Sequence, residues 1–145
     1  MFVGNSNWRG PFWMPLQYLV ISVLELYHQF FGDELTIEYL AGCGRCVRLD
    51  VIATYLQDCL ISIFVVGPDG RRPCSGWVDR LQHDPAWKDS LMFNEYFHGE
   101  DGAGLGACHQ SGWTGLIADL IRGRRGEVDS VGDVIRGLRR EAGHD

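Results

Sequence analysis

Apolar residues recur at helical spacing near the start of the chain. Leu16, Leu19, Val20, Val23, Leu24, Tyr27, Phe30 and Phe31 fall where a 3.6-residue period repeats one face. Pro15 suits the first turn, whose N–H groups have no intrahelical partner, and Gly32 is a natural stop, so the pattern predicts a helix over 15–31. A second helix follows from Val51, Ile52, Tyr55, Leu56, Cys59, Leu60, Ile63 and Phe64, closed by "GPDG" at 67–70. A third, shorter one should begin near Trp113–Thr114 and turn Leu116, Ile117, Leu120 and Ile121 inward. A fourth near 131–141 would use Val131, Val134, Ile135 and Leu138, with Ser130 as its cap.

The connections at 33–48 and 67–112 are rich in Gly, Pro, Asp and aromatic residues, and the second is far longer than an ordinary helix–helix connection. Loops of that length commonly carry function. A short helical turn near Pro85–Leu91 and an extended pair around 70–80 are expected within it. The layout is mainly α with long glycine- and aromatic-rich loops, unlike a four-helix bundle with its short connections. The apolar faces are wider than four helices can hide in one another, which suggests part of a larger helical ring and predicts aggregation of the chain on its own.

Composition narrows the classes. The 145 residues suit one domain, and an apolar content of 46% excludes wholesale disorder. A net charge of −6 gives no general electrostatic reason to bind nucleic acid or acidic lipid. The arginines at 122, 124, 125, 136, 139 and 140 are interrupted by Glu127, Asp129, Asp133 and Glu141, the pattern of a solvated surface. No secretory leader is visible, and the longest apolar stretch, Leu16–Leu26, contains Gln17, Ser22 and Glu25 and does not read as a membrane span. Five cysteines, an odd number, point to reduced thiols and a cytoplasmic location. Cys43 and Cys46 form a CxxC, but Cys59, Cys74 and Cys108 supply no second pair for a zinc ribbon, and no convincing strand precedes the motif as a thioredoxin-like site requires.

The candidate chemistry concentrates in "FNEYFHGEDGAGLGACHQSGWTG", residues 93–115. Glu95 stands among Phe93, Tyr96 and Phe97; a carboxylate among aromatic rings loses water, which raises its pKa towards a value useful for proton transfer. A surface glutamate beside partly buried aromatics is the plainer alternative. Glycines at 99, 102, 104 and 106 form no phosphate loop, since "GxxxxGK[ST]" is absent, but they allow close backbone approach. His98 and His109 flank that run at a spacing that matches no helical metal motif; they suit hydrogen bonding to a polar ligand or a structural role. No metal or other cofactor is expected. In "NSNWRGPFW", Trp8, Arg9 and Trp13 offer apolar faces for sugar rings and a guanidinium fork for hydroxyls, or simply a hydrophobic start to the first helix. Trp77, Trp87 and Trp113 are further stacking candidates or core residues, and no serine lies in a nucleophile elbow.

Taken together, "NWRGPFWMPLQYL" and "FNEYFHGEDGAGLGACHQSGWTGLIADLI" resemble the C-terminal part of the catalytic domain of glycoside hydrolase family 63, the processing α-glucosidase and mannosylglycerate hydrolase-like group. The resemblance covers roughly residues 1–122 and leaves 123–145 as a polar C-terminal helix or tail. It implies a partial (α/α)6 barrel, roughly four helices of a six-hairpin toroid, and inverting hydrolysis of α-glycosidic bonds in an oligosaccharide or small glycoside. It further implies Glu95 as the general base, with Trp8, Arg9 and Gly10 of "WRGP" at the pocket and His109, Gln110 and Trp113 of "HQSGWTG" closing it. The pattern departs at Glu100 and Asp101, where Asp and Asn are expected, and at Cys108 and Ser111, where Ser and Thr are more usual. Inversion needs a second carboxyl group about 6.5–9.5 Å from the base. In the family that acid is an aspartate upstream, in a segment absent from these residues, so the resemblance implies a fragment partnered by the missing N-terminal part of the same enzyme. A non-catalytic remnant or helical interaction module is the alternative.

Overall fold

The computed structural model describes residues 11–38 and 44–123. Trp8, Arg9, Gly10, Cys43 and the expected helix at 131–141 lie outside the described residues. The elements run α1 (Met14–Phe31), β1 (Thr36–Glu38), β2 (Cys46–Arg48), α2 (Leu49–Ser62), α3 (Asp79–His83), β3 (Tyr96–Phe97), β4 (Gly104–Leu105), α4 (Ser111–Thr114) and α5 (Ile117–Gly123). The fold is mainly α.

Helix α1 starts one residue earlier than the periodicity predicts, with Pro15 in its first turn, and ends at Gly32, whose φ of +67° lets its N–H reach the His28 carbonyl. α2 follows β2 directly and packs back along α1. The two run antiparallel: His28 near the end of α1 approaches Asp50 at the start of α2 (3.6 Å), while Phe12, ahead of α1, shares a cavity with Leu60 and Ile63 at the far end of α2. The core is the cluster of Met14, Ile21, Ala53, Leu60, Ile63, Phe64, Cys74, Phe97, Ile117 and Leu120. Each large apolar side chain in it contributes about 1.5–3 kcal/mol relative to exposure.

The face of α1 that meets this core shares only Leu24 with the stripe singled out above. Met14 and Ile21 are buried, whereas Leu16, Leu19, Val20, Val23, Leu26, Tyr27, Phe30 and Phe31 are exposed. The reason is that α1 is apolar on almost every side, so periodicity marks it as a helix without saying which side packs. Similarly, Ile117 and Leu120 of α5 turn inward as expected, but Ile121 is exposed. The expected third helix is split into α4 and α5 at Gly115 and Leu116, with Gly115 close against the Ser111 carbonyl.

Two differences concern extended structure. β1 and β2 pair antiparallel, with Thr36 opposite Arg48 and Glu38 opposite Cys46, so a strand does precede the cysteine motif. Its three residues are all exposed and carry no alternation for sequence reasoning to detect. Residues 70–80 form no strand pair; they hold a 3-10 turn at Pro73–Ser75 and lead into α3. There the buried Gln82 side chain takes the role of a partner strand. Its Oε1 accepts the Arg72 N–H (2.8 Å), and its Nε2 donates to the carbonyls of Arg72 (3.0 Å) and Gly76 (2.8 Å). The helical turn expected near 85–91 appears at its beginning, where the N–H groups of Trp87 and Lys88 both donate to the Asp84 carbonyl.

Candidate functional site

The two stretches that carry the resemblance meet in space. β3 pairs antiparallel with β4, Tyr96 opposite Leu105 and Phe97 opposite Gly104, and the hairpin is extended by Glu95 N–H to Ala107 O (2.9 Å) and His98 N–H to Ala103 O (2.8 Å). On its other edge Phe97 exchanges both backbone hydrogen bonds with Phe12, at 2.9 and 3.0 Å. The fully buried Phe97 ring stacks on Phe12 (centroids 5.4 Å apart) and meets Phe64 edge-on. The segment just before α1 is thereby stitched to the strand that follows Glu95.

A second clamp holds residues 93–94. Gln110, the residue preceding α4, donates its N–H to Phe93 O (2.8 Å), and the buried Thr114 hydroxyl donates to the Asn94 carbonyl. Trp113 of α4 then lies 5.5 Å from Trp13, the residue ahead of α1, with the rings tilted by 41°. Between these clamps, Glu95 is half-buried. Its Oε2 accepts the Ala107 N–H (3.3 Å), while Oε1 has no protein hydrogen-bond partner among the described residues. One oxygen is therefore tethered and the other is left to accept a hydrogen bond from water or ligand. A carboxylate that activates a water molecule needs that arrangement.

The glycines are shaped by this packing. Gly106 has φ +71°, and a Cβ there would lie 2.6 Å from Tyr96 Cε1 and 2.7 Å from Glu95 Oε2. Gly104 lies against the Asn94 side chain and the Cys74 carbonyl. The run first serves to close the hairpin over Glu95 and its neighbours.

The remaining candidates spread out. His109 is exposed, with φ +61°, just before Gln110. His98 sits at the hairpin turn, its Nδ1 3.2 Å from the Asp101 carboxylate, which also accepts the Ala103 N–H (3.0 Å). Phe93, Tyr96 and Phe97 are committed to core contacts. No group of three His, Cys, Asp or Glu among the described residues is placed to hold a metal ion. Cys46, Cys74 and Cys108 form no disulfide, and burial pushes the Cys74 thiol above its ordinary pKa, which keeps it protonated and unreactive. No helix among the described residues is long and apolar enough to cross a membrane.

Sequence reasoning passed over three residues that position the site: Asn94, Thr114 and Asp119. Asn94 is buried, a polar residue inside an aromatic run, and that contrast was the available signal. Asp119 of α5 accepts a 2.6 Å hydrogen bond from the Tyr18 hydroxyl of α1 and a 2.7 Å one from Arg122. The Tyr18 hydrogen bond, and then Arg122, hold the Asp119 carboxyl below the usual range, and the same bond raises the Tyr18 pKa.

No family model matches the chain, and no solved structure matches it. It is 40% identical over 124 residues to "Uncharacterized protein YMR196W" of Saccharomyces cerevisiae, a match that covers 83% of this chain and 11% of the yeast protein. The likeness is thus to one short stretch of a much longer relative.

Proposed function

We propose that this chain supplies the base-bearing portion of an inverting α-glycoside hydrolase site built inside an (α/α)6 barrel. The observation that carries the reading is the meeting of residues 12–13 with residues 93–97 and 113, which sets Trp13, Trp113, Gln110 and Glu95 around one clamped segment. In this reading Glu95, tethered through Oε2, uses Oε1 to take a proton from the attacking water. Trp13 and Trp113 offer aromatic faces to the sugar, and His109 and Gln110 border the pocket. His98 sits apart at the hairpin turn and belongs to the pocket's rim.

The antiparallel α1–α2 pair is the kind of unit such a barrel repeats, and the uncovered apolar face of α1 is what adjoining helices would bury. The acid would come from those other helices, as the 11% coverage of the yeast relative allows. Complementation tests the proposal: this chain is mixed with the yeast relative from which the matched stretch has been deleted, and α-linked glucosides are offered as substrates. The mixture should release the inverted anomer, neither component alone should do so, and Glu95→Gln should remove the activity while the mixture still assembles. Hydrolysis that survives Glu95→Gln, or an assembled mixture without hydrolysis, would leave the helical interaction module as the better reading.

A further inference from the structure

The loop between α2 and α3 builds a second concave surface, a cavity of about 530 Å3 that shares only Asp101 and Ala103 with the hairpin. Its floor is rigid, because Gln82 is buried and spends its amide on the backbone of Arg72 and Gly76. Gly76, at φ +53°, packs so closely on Ala103 that an added Cβ would sit 3.3 Å from it. On the cavity wall stands Trp77, 80% exposed, with the Arg71 guanidinium 4.9 Å over its ring and tied by a 3.2 Å hydrogen bond to Gly76 O. Arg71 covers one face of the indole and leaves the rest to solvent.

The polar lining is mixed. Arg72 keeps a buried Nε–H with no hydrogen-bond partner. Asp69 accepts the Arg71 N–H and Asp101 the Ala103 N–H, each at 3.0 Å through Oδ1, so each retains a second oxygen for a ligand. An anionic ligand would meet two carboxylates here and a cationic one would meet two guanidiniums. A neutral polyol meets neither penalty, because each hydroxyl both donates and accepts. An aromatic platform beside paired donors and acceptors is the combination a sugar ring can use.

We propose that this cavity is a second carbohydrate site, separate from Glu95, that takes a neutral sugar ring on Trp77 with its hydroxyls held by Arg71, Asp69 and Asp101. The proposal stands on this geometry whether or not Glu95 is a catalytic base. The test is a titration with maltotetraose of the 145-residue chain, carrying Leu19→Glu and Phe30→Glu on the exposed side of α1 to keep it monomeric, following the indole N–H resonance assigned to Trp77 by its loss in Trp77→Phe. That resonance should shift and saturate, and an oligomer of glucuronic acid should bind more weakly. Trp77→Ala, a change at an exposed position, should lower the affinity, measured for both chains by titration calorimetry, by about tenfold or more. Glu95→Gln should leave it unchanged, which separates this site from the proposed hydrolytic one. A Trp77 resonance that ignores the neutral sugar, an affinity that Trp77→Ala does not alter, or a preference for the charged oligomer would overturn the proposal.

Discussion

Gly106 and Glu95 show how much of the site is decided by single atoms. The hairpin can fold over the carboxylate only because position 106 has no Cβ and tolerates φ +71°. Gly106→Ala should therefore lower stability by about 1–3 kcal/mol, the usual cost of holding another residue in such a conformation, read as a shift in the denaturation midpoint. Gly112→Ala is the control. Its Cβ would meet nothing within 4 Å, and it lies within α4, so it should be neutral or stabilising by up to about 1 kcal/mol. Glu95 drew notice only through its aromatic company, whereas the glycines were legible as sites of close approach. What the glycines approach was not legible, because Asn94, Cys74 and Glu95 are brought to them by strand pairing and by a loop about thirty residues upstream.

Periodicity found α1, α2 and the α4–α5 segment because their apolar positions repeat every third or fourth residue. The side of α1 that packs was not legible, since a helix apolar all round offers no contrast. The short strands were illegible for the opposite reason: two or three residues are too few for a period. The tie between α1 and α5 lies at the same scale. The Tyr18–Asp119 hydrogen bond lowers the Asp119 pKa, so the folded state binds that proton less readily than the unfolded chain does. Its contribution is present above the unfolded carboxylate value of about 3.9 and is lost as pH falls through the depressed folded value. The raised Tyr18 pKa works in the other direction: that contribution is complete below about 10 and is lost as pH rises through the folded value. Tyr18→Phe should be less stable than the parent at neutral pH, and the gap should close in strong acid. Urea denaturation across that range checks it; a gap that does not depend on pH would show that the hydroxyl matters only for packing.

For the molecule as a whole, the exposed side of α1 dominates. Leu19 is 61% exposed, Leu26 60% and Phe30 80%, a concentration of apolar surface that isolated domains rarely leave in water. The 145-residue chain should self-associate in sedimentation experiments and bind a hydrophobic dye, and Leu19→Glu with Phe30→Glu should shift it to monomer without changing its circular dichroism. A monomeric parent chain that ignores the dye would count against any covering partner. Long-range closure was the least legible property of all, because nothing local in "PFW" announces a partner more than eighty residues away. That closure has a consequence during synthesis. Phe12 is made early, yet its β-partner Phe97 follows 85 residues later, and Trp13 waits until Trp113 is made. At about 5–20 residues per second, the ribosome keeps these contacts unmade for several seconds while α1 is already exposed, the interval in which a chaperone would have its best access to the nascent chain.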